Sequence, residues 1–317
     1  MEDGPKTDSE GPDAGLGRRI IRAMEPDLDD IARATGSPYC YHYTELLRQA
    51  SVPQIRTYCS TTRQLFAPIA KMFNEDTNSR WVLRHYLAIK FATAANLLAG
   101  SAMYAYDHNL LLGVPYFNYY TVLNACRAYL LTSPHVTWDG ANTVEMTHRN
   151  ILNRTTDYLR ALDPQRAPVW RAELELLRER RELFSYRFPL SGAALAGEVA
   201  FEPEPAIALA RLIAELASLN SECLDASIRK HSSDNISVRD LSDHEWASAY
   251  ELAGARNRDR DDDYRFSKLV RGWKTVSPLE VMTSDGLMDD VYAAWTDAHD
   301  RPGAFDPDEC TKLVLAL

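Results

Sequence analysis

Ala88, Ala92, Ala95, Ala99 and Ala102 recur at spacings of four and three within the stretch from Ser79 to Tyr106. That spacing puts five methyl groups on one face of a single long helix. Alanine is the strongest helix former and brings almost no bulk, so such a seam lets a second helix approach at close range. A membrane dimerisation face uses the same spacing of small residues. Here Lys90 and Asn96 interrupt it. The seam therefore predicts close helix packing inside a bundle. It also offers a flat face through which two copies of the chain could pair.

The flanking sequence is punctuated by prolines and glycines at helical intervals. A short helix is expected over 18–34, ending at Gly36 and Pro38, followed by helical pieces over 39–75 broken by Pro53 and Pro68. Pro115 suits the first turn of a helix reaching about Thr132, and Pro134 with Gly140 marks a loop. Asn142 with Glu145 resembles a capping box opening a helix to about Leu162, which Asp163-Pro164 breaks. The next helix begins near Pro168 and stops before Pro189. A further one over 204–230 is apolar on most sides and so should be largely buried. Shorter helices are expected at 241–254, 287–299 and 307–316. Neither an internal repeat nor strand alternation is found in the central region.

Charge divides the 317 residues into three parts. Residues 1–38 hold nine acids and five bases, 39–231 hold eighteen and twenty, and 232–317 hold eighteen and ten. A nearly neutral body thus lies between an acidic, partly disordered N-terminal segment and an acidic C-terminal appendage, and the body is the candidate for meeting an anion. Residues 1–17, rich in Gly, Pro, Asp and Glu, have no means of forming a core. The first thirteen residues contain no apolar run, and no stretch reaches membrane-spanning length, so a cytoplasmic protein without a signal peptide or membrane partner is expected. Cys40, Cys59, Cys126, Cys223 and Cys310 stand far apart and are odd in number, which predicts reduced thiols, with no metal site and no cofactor.

The common enzyme signatures fail: no phosphate-binding glycine loop, no zincin helix at His244-Glu245 and no Gly-x-Ser-x-Gly elbow. Asp261, Asp262 and Asp263 could hold a divalent cation, but interleaved arginines from Arg256 to Arg265 favour a solvated loop. Two breaks in periodicity say more. His148 takes an apolar place in the series Val144, His148, Ile151, Thr155, Tyr158, Leu162. Arg181 does so in Trp170, Leu174, Leu177, Arg181, Phe184, which predicts a guanidinium pointing into the bundle or an interface. Each could be purely structural, a core histidine and an ion-pair member. Alternatively they share a polar pocket to which Asn124 and Arg127, one turn apart, also contribute.

Four words in order resemble the HEPN superfamily, specifically its short four-helix members, over about 79–190. They are the small and aromatic run Ala88 to Tyr106, then Phe117-Asn118-Tyr119-Tyr120 with Ala125-Cys126-Arg127-Ala128-Tyr129-Leu130, then Thr147-His148-Arg149-Asn150-Ile151, and finally Arg181-Glu182-Leu183-Phe184-Ser185-Tyr186. The resemblance implies a mostly α protein: an up-down helical bundle with N-terminal helical additions over 39–231 and the C-terminal appendage. It implies a homodimer, and a ribonuclease chemistry in which an arginine steadies phosphorane charge while a histidine moves a proton. Arg181 stands where that arginine would be, but Tyr186 stands in place of the histidine and Ser185 in place of an aspartate. The expectation is therefore a non-catalytic or degenerate HEPN-type protein. It would bind nucleic acid, a nucleotide or a protein partner through His148, Arg149, Arg181, Tyr186, Asn124 and Arg127, in a bacterial stress or defence setting such as a toxin–antitoxin pair. The alternatives are an active metal-independent ribonuclease, with Arg181, His148 and Tyr186 as catalytic candidates, and a scaffold whose polar seam only sets helix register.

Overall fold

The computed structural model describes residues 28–36, 43–195, 201–232, 236–239, 260–283, 285–295, 303–307 and 313–315. Every regular element among them is helical. The expectations for residues 1–17, for a helix at 241–254 and for Cys40 and Cys310 lie outside the described residues.

Helix α1 (Leu28–Thr35) and α2 (Thr44–Gln49) precede α3 (Val52–Lys71). Pro53 falls in the first turn of α3, where its missing N–H has no partner to lose. Pro68 does not break the helix as expected. It sits in the last turn, where it forfeits one hydrogen bond, and the fully buried Phe66 and Ala70 hold that turn against the core.

Helix α4 (Glu75–Asp107) is the axis of the molecule. The Asn74 side chain caps it, accepting from the Thr77 amide at 2.9 Å, and Glu75 and Asp76 favour its positive end. A turn at 108–113, with Asn109 in the left-handed region at φ 57°, reverses the chain into α5 (Val114–Thr132). The alanine seam packs here: Ala88, Ala92, Ala95, Ala99 and Ala102 are each at most 2% exposed. The seam is therefore spent inside the chain and does not offer a face to a second copy.

The capping-box reading of Asn142 and Glu145 is corrected. Asn142 donates to the Asp139 carboxylate at 3.0 Å and belongs to the single turn α6 (Ala141–Val144). The longer helix α7 (His148–Leu159) starts after Thr147, whose hydroxyl accepts from the Asn150 amide. Helix α8 (Ala167–Glu182) follows, with Pro168 in its first turn, and widens into a π turn over Leu183–Arg187 that ends at Phe188, ahead of Pro189. Helix α9 (Glu204–His231) is buried along most of its length, against α5 and α3. Its Glu215 carboxylate accepts from the Glu45 and Leu46 amides at 3.0 and 2.6 Å, and Glu222 accepts from the Tyr43 hydroxyl at 2.6 Å. These contacts dock the amino end of α2.

The C-terminal pieces α10 (Arg260–Gly272), α11 (Leu279–Met282) and α12 (Asp285–Ala293) share the main core through Phe266, Leu279, Met282 and Tyr292. The expected solvated loop around Asp261–Asp263 is instead the first turn of α10. Asp262, Phe266 and Leu269 form one buried stripe, and the Asp262 carboxylate takes the Tyr86 hydroxyl and the Lys90 ammonium. Asn96 accepts from the Val314 and Leu315 amides at 2.7 and 3.2 Å. The two polar residues that interrupt the alanine seam thus anchor C-terminal segments to α4, as do Asn78 and His85, which bond to Val276 and Ser277. No described helix is long and apolar enough to cross a membrane. Cys59, Cys126 and Cys223 are buried free thiols.

Candidate functional site

Tyr120, Asn124 and Arg127 follow spacings of four and three along α5, the helix that touches both α7 and α8. Their stripe, with Tyr119 beside it, meets His148 from the first turn of α7 and Arg181 from the last turn of α8. The Tyr119 hydroxyl lies 3.1 Å from His148 Nδ1. Arg181 donates through Nη2 to the Tyr120 hydroxyl at 3.1 Å and through Nη1 to the Tyr186 hydroxyl at 3.4 Å. Its guanidinium carbon lies 5.4, 5.7 and 5.4 Å from the ring centroids of Tyr119, Tyr120 and Tyr186. Arg127 donates to Asn124 Oδ1 at 3.3 Å and lies over the Phe91 ring.

The π turn matters to this arrangement. In an α-helix, residue 186 would sit about 140° round the axis from residue 181. The wider turn, closed by Phe188 N donating to the Leu183 carbonyl at 3.1 Å, carries Tyr186 back beside Arg181.

Burial, with the nearby Arg127 and Arg181 charges, lowers the His148 pKa below the ordinary histidine value, so the imidazole is neutral at pH 7. Burial raises the Tyr119 pKa to about 12 against the pull of Arg181, which keeps the phenol protonated. Burial also works against the Arg181 charge, but its bonds to Tyr120 and Tyr186 outweigh that and hold its pKa above the usual arginine value. Arg178 faces Glu182 at 3.7 Å. Among the described residues neither Arg127 nor Arg181 has a carboxylate partner, and the buried Nε of each makes no hydrogen bond. Two uncompensated guanidinium groups, a neutral imidazole and three phenols make an electropositive, aromatic surface. It is suited to holding phosphate oxygens and flat rings.

Five of the six residues expected in the pocket, namely His148, Arg181, Tyr186, Asn124 and Arg127, lie in this cluster. Arg149 is exposed and stands outside it. Of the two places the periodicity allows, the bundle or an interface, Arg181 does not take the first. It lies partly buried across the tyrosines, with Tyr186 74% exposed, because α8 has run past its buried contacts Trp170 and Leu174. The buried guanidinium of this fold is Arg84, which donates to the carbonyls of Leu131, Ser133 and Val136 at 2.7, 2.9 and 3.0 Å and stacks on Trp81. Tyr119 and Tyr120 are missing from the expected site, although they stand in one of the words that carry the family resemblance. Their periodicity looked like core, and only contact with Arg181 and His148 distinguishes them.

Further cavities lie elsewhere among the described residues. An apolar groove of about 740 Å³ runs between Leu111, Phe117, Phe184 and Phe201. A polar one of about 690 Å³ lies between 135–146 and α7, and one of about 320 Å³ between α3 and the end of α9. Comparison with known families, characterised proteins and solved structures gives no match.

Proposed function

We propose that this chain is a degenerate HEPN-type protein that binds single-stranded RNA or a related phosphate-bearing ligand without cleaving it. The observation that carries the reading is the Arg181–Arg127 pair, which has no carboxylate partner and is set among Tyr119, Tyr120, Tyr186 and His148. Arginine forks match phosphate oxygens, and phenol rings offer faces for bases. Against catalysis stand the raised Tyr119 pKa and the lowered His148 pKa, since an acid–base pair works best poised near the operating pH.

Fluorescence anisotropy with a labelled eight-nucleotide RNA tests this. Arg181→Ala should weaken binding by about 1.5–3 kcal/mol, roughly 10- to 150-fold, as expected for a charge-assisted contact. Its melting temperature should stay close to that of the wild type, because the side chain is only partly buried. His148→Ala should weaken binding less. RNA cleavage that persists in EDTA and vanishes in His148→Ala would replace this reading with the active ribonuclease. No binding of any phosphate-bearing probe would leave only the scaffold.

We also propose that two copies pair. The support is an exposed apolar surface at Leu110, Leu112, Phe188 and Leu190, 53–97% accessible, of the kind that marks interaction sites.

A further inference from the structure

The polar cavity beside α7 has the composition of a base-binding site. His135 stacks on Tyr158 with ring centroids 4.7 Å apart and planes 21° from parallel. Trp138 lines the same cavity, together with Asp139, Asn142 and Arg154. Three aromatic rings are more than a solvated surface pocket needs. The polar groups are also available: Arg154 is exposed and makes no ion pair or hydrogen bond among the described residues, and neither do the ring nitrogens of His135 or the Tyr158 hydroxyl. The Asp139 carboxylate is held in place through Oδ2 by Asn142, while Oδ1 has no described partner. Partial burial lowers the His135 pKa, which leaves a neutral ring for stacking. Flat apolar faces, one cation and a fixed acceptor match a nucleobase with its adjoining phosphate, the base offering N–H groups to Asp139.

The cavity also continues the arginine–tyrosine surface. Met146, on its wall, is two residues from His148. His148 and Tyr158 stand ten residues, about 15 Å, apart along α7; Ile151 and Thr155 between them are buried, so a strand joining the two would cross the exposed face at Arg154. We infer that this cavity is a nucleobase subsite, and that the ligand on Arg127 and Arg181 is a single strand running along α7, with one base held in the cavity beside the stacked His135–Tyr158 pair. The inference rests on the anion-binding reading above.

The test compares three probes by anisotropy: an eight-nucleotide RNA, the same strand with every base removed, and a dinucleotide. The wild type should prefer the RNA over its abasic copy by roughly 5- to 150-fold, the range for one base stacked on an aromatic side chain. It should bind the dinucleotide more weakly than the octamer. Trp138→Leu and Tyr158→Leu should erase the preference for bases, whereas Arg181→Ala should weaken RNA and abasic strand alike. His135→Ala and Arg154→Ala change exposed side chains, and they decide the matter if the other variants fail to fold. An abasic strand that binds as well as RNA, and still needs Arg181, overturns the base subsite and leaves the anion site standing. A base preference untouched by every cavity variant also overturns it. If neither strand binds the wild type, both readings fall.

Discussion

Arg84 is the residue whose removal should cost this fold most. Its guanidinium is 4% exposed and donates to three backbone carbonyls at 3.0 Å or less, with the Leu130 carbonyl further off at 3.5 Å. Leu130 and Leu131 are among the last carbonyls of α5, which have no partner within their own helix. Ser133 and Val136 belong to the loop that begins the polar cavity beside α7. Burial lowers the Arg84 pKa to about 9, so the group still carries its charge at pH 7 and makes charge-assisted bonds. Arg84→Met keeps most of the stem on Trp81 but takes the donor from the buried Leu131 and Val136 carbonyls and leaves Ser133 with only the Val136 amide at 3.4 Å, at about 1–3 kcal/mol for each orphaned carbonyl before relaxation. Relaxation and water entry offset part of that, so a net loss of about 3–5 kcal/mol is expected, comparable to breaking a buried ion pair. At about 2–4 °C per kcal/mol, the melting temperature should fall by about 6–20 °C. Arg84→Lys should fall between, since an ammonium keeps the charge but cannot span the same fork. Thermal unfolding followed by circular dichroism measures both. A fall of less than about 2 °C in Arg84→Met would refute the claim that these carbonyls depend on the guanidinium.

Burial raises the Glu215 pKa to about 7 from 4.5, so the folded state holds that proton more tightly than the unfolded one. The stability it confers is complete below about pH 4.5 and is lost as pH rises through 7, by up to about 3 kcal/mol. Glu215→Gln should lose this share of the slope, while Glu222 and Glu280, which burial also raises to about 7, and His85, whose buried ring has its pKa lowered to about 3 and gives the opposite slope, act in both proteins and cancel in the difference. Identical pH profiles in urea unfolding would reject the assignment. Asp262→Ala removes the carboxylate that holds Tyr86 and Lys90, so hydrogen exchange in 260–272 should rise with a loss of about 1–3 kcal/mol; unchanged exchange would show that Phe266 and Leu269 suffice. Light scattering should give twice the chain mass of 35.8 kDa, and Leu190→Asp should give the monomer. A monomeric wild type counts against pairing.

The helices themselves were readable because their signals are local. The alanine seam, Pro115 at the start of α5 and the apolar run of α9 each depend on neighbours within a few turns, and α4, α5 and α9 appear where those signals place them. Boundaries failed where a signal could be satisfied in two ways. Asn142 can cap a long helix or close a short turn, and Thr147 lies five residues on with the same ability. Pro68 breaks a helix only if the turn after it has no packing of its own.

Polar residues were read less well. Periodicity marked His148 and Arg181 as anomalous, and both meet the face of α5 that carries Asn124 and Arg127. It did not reveal that Arg181 would meet Tyr119, Tyr120 and Tyr186 at the surface, because Tyr186 arrives through a π turn that no spacing rule announces. Arg84, Asn96, Glu215 and Asp262 look in sequence like ordinary helix-face residues. Each is buried because another segment ends against it: the carbonyls of α5, the amides at 314–315, the amino end of α2, and α10 seated on Tyr86 and Lys90. By itself, then, the sequence determined which stretches are helical and which faces are apolar, since backbone hydrogen bonding and side-chain period act over three or four residues. Tertiary structure alone decided which polar groups are buried and which cations are left without a counter-charge, because both depend on partners as much as 219 residues away.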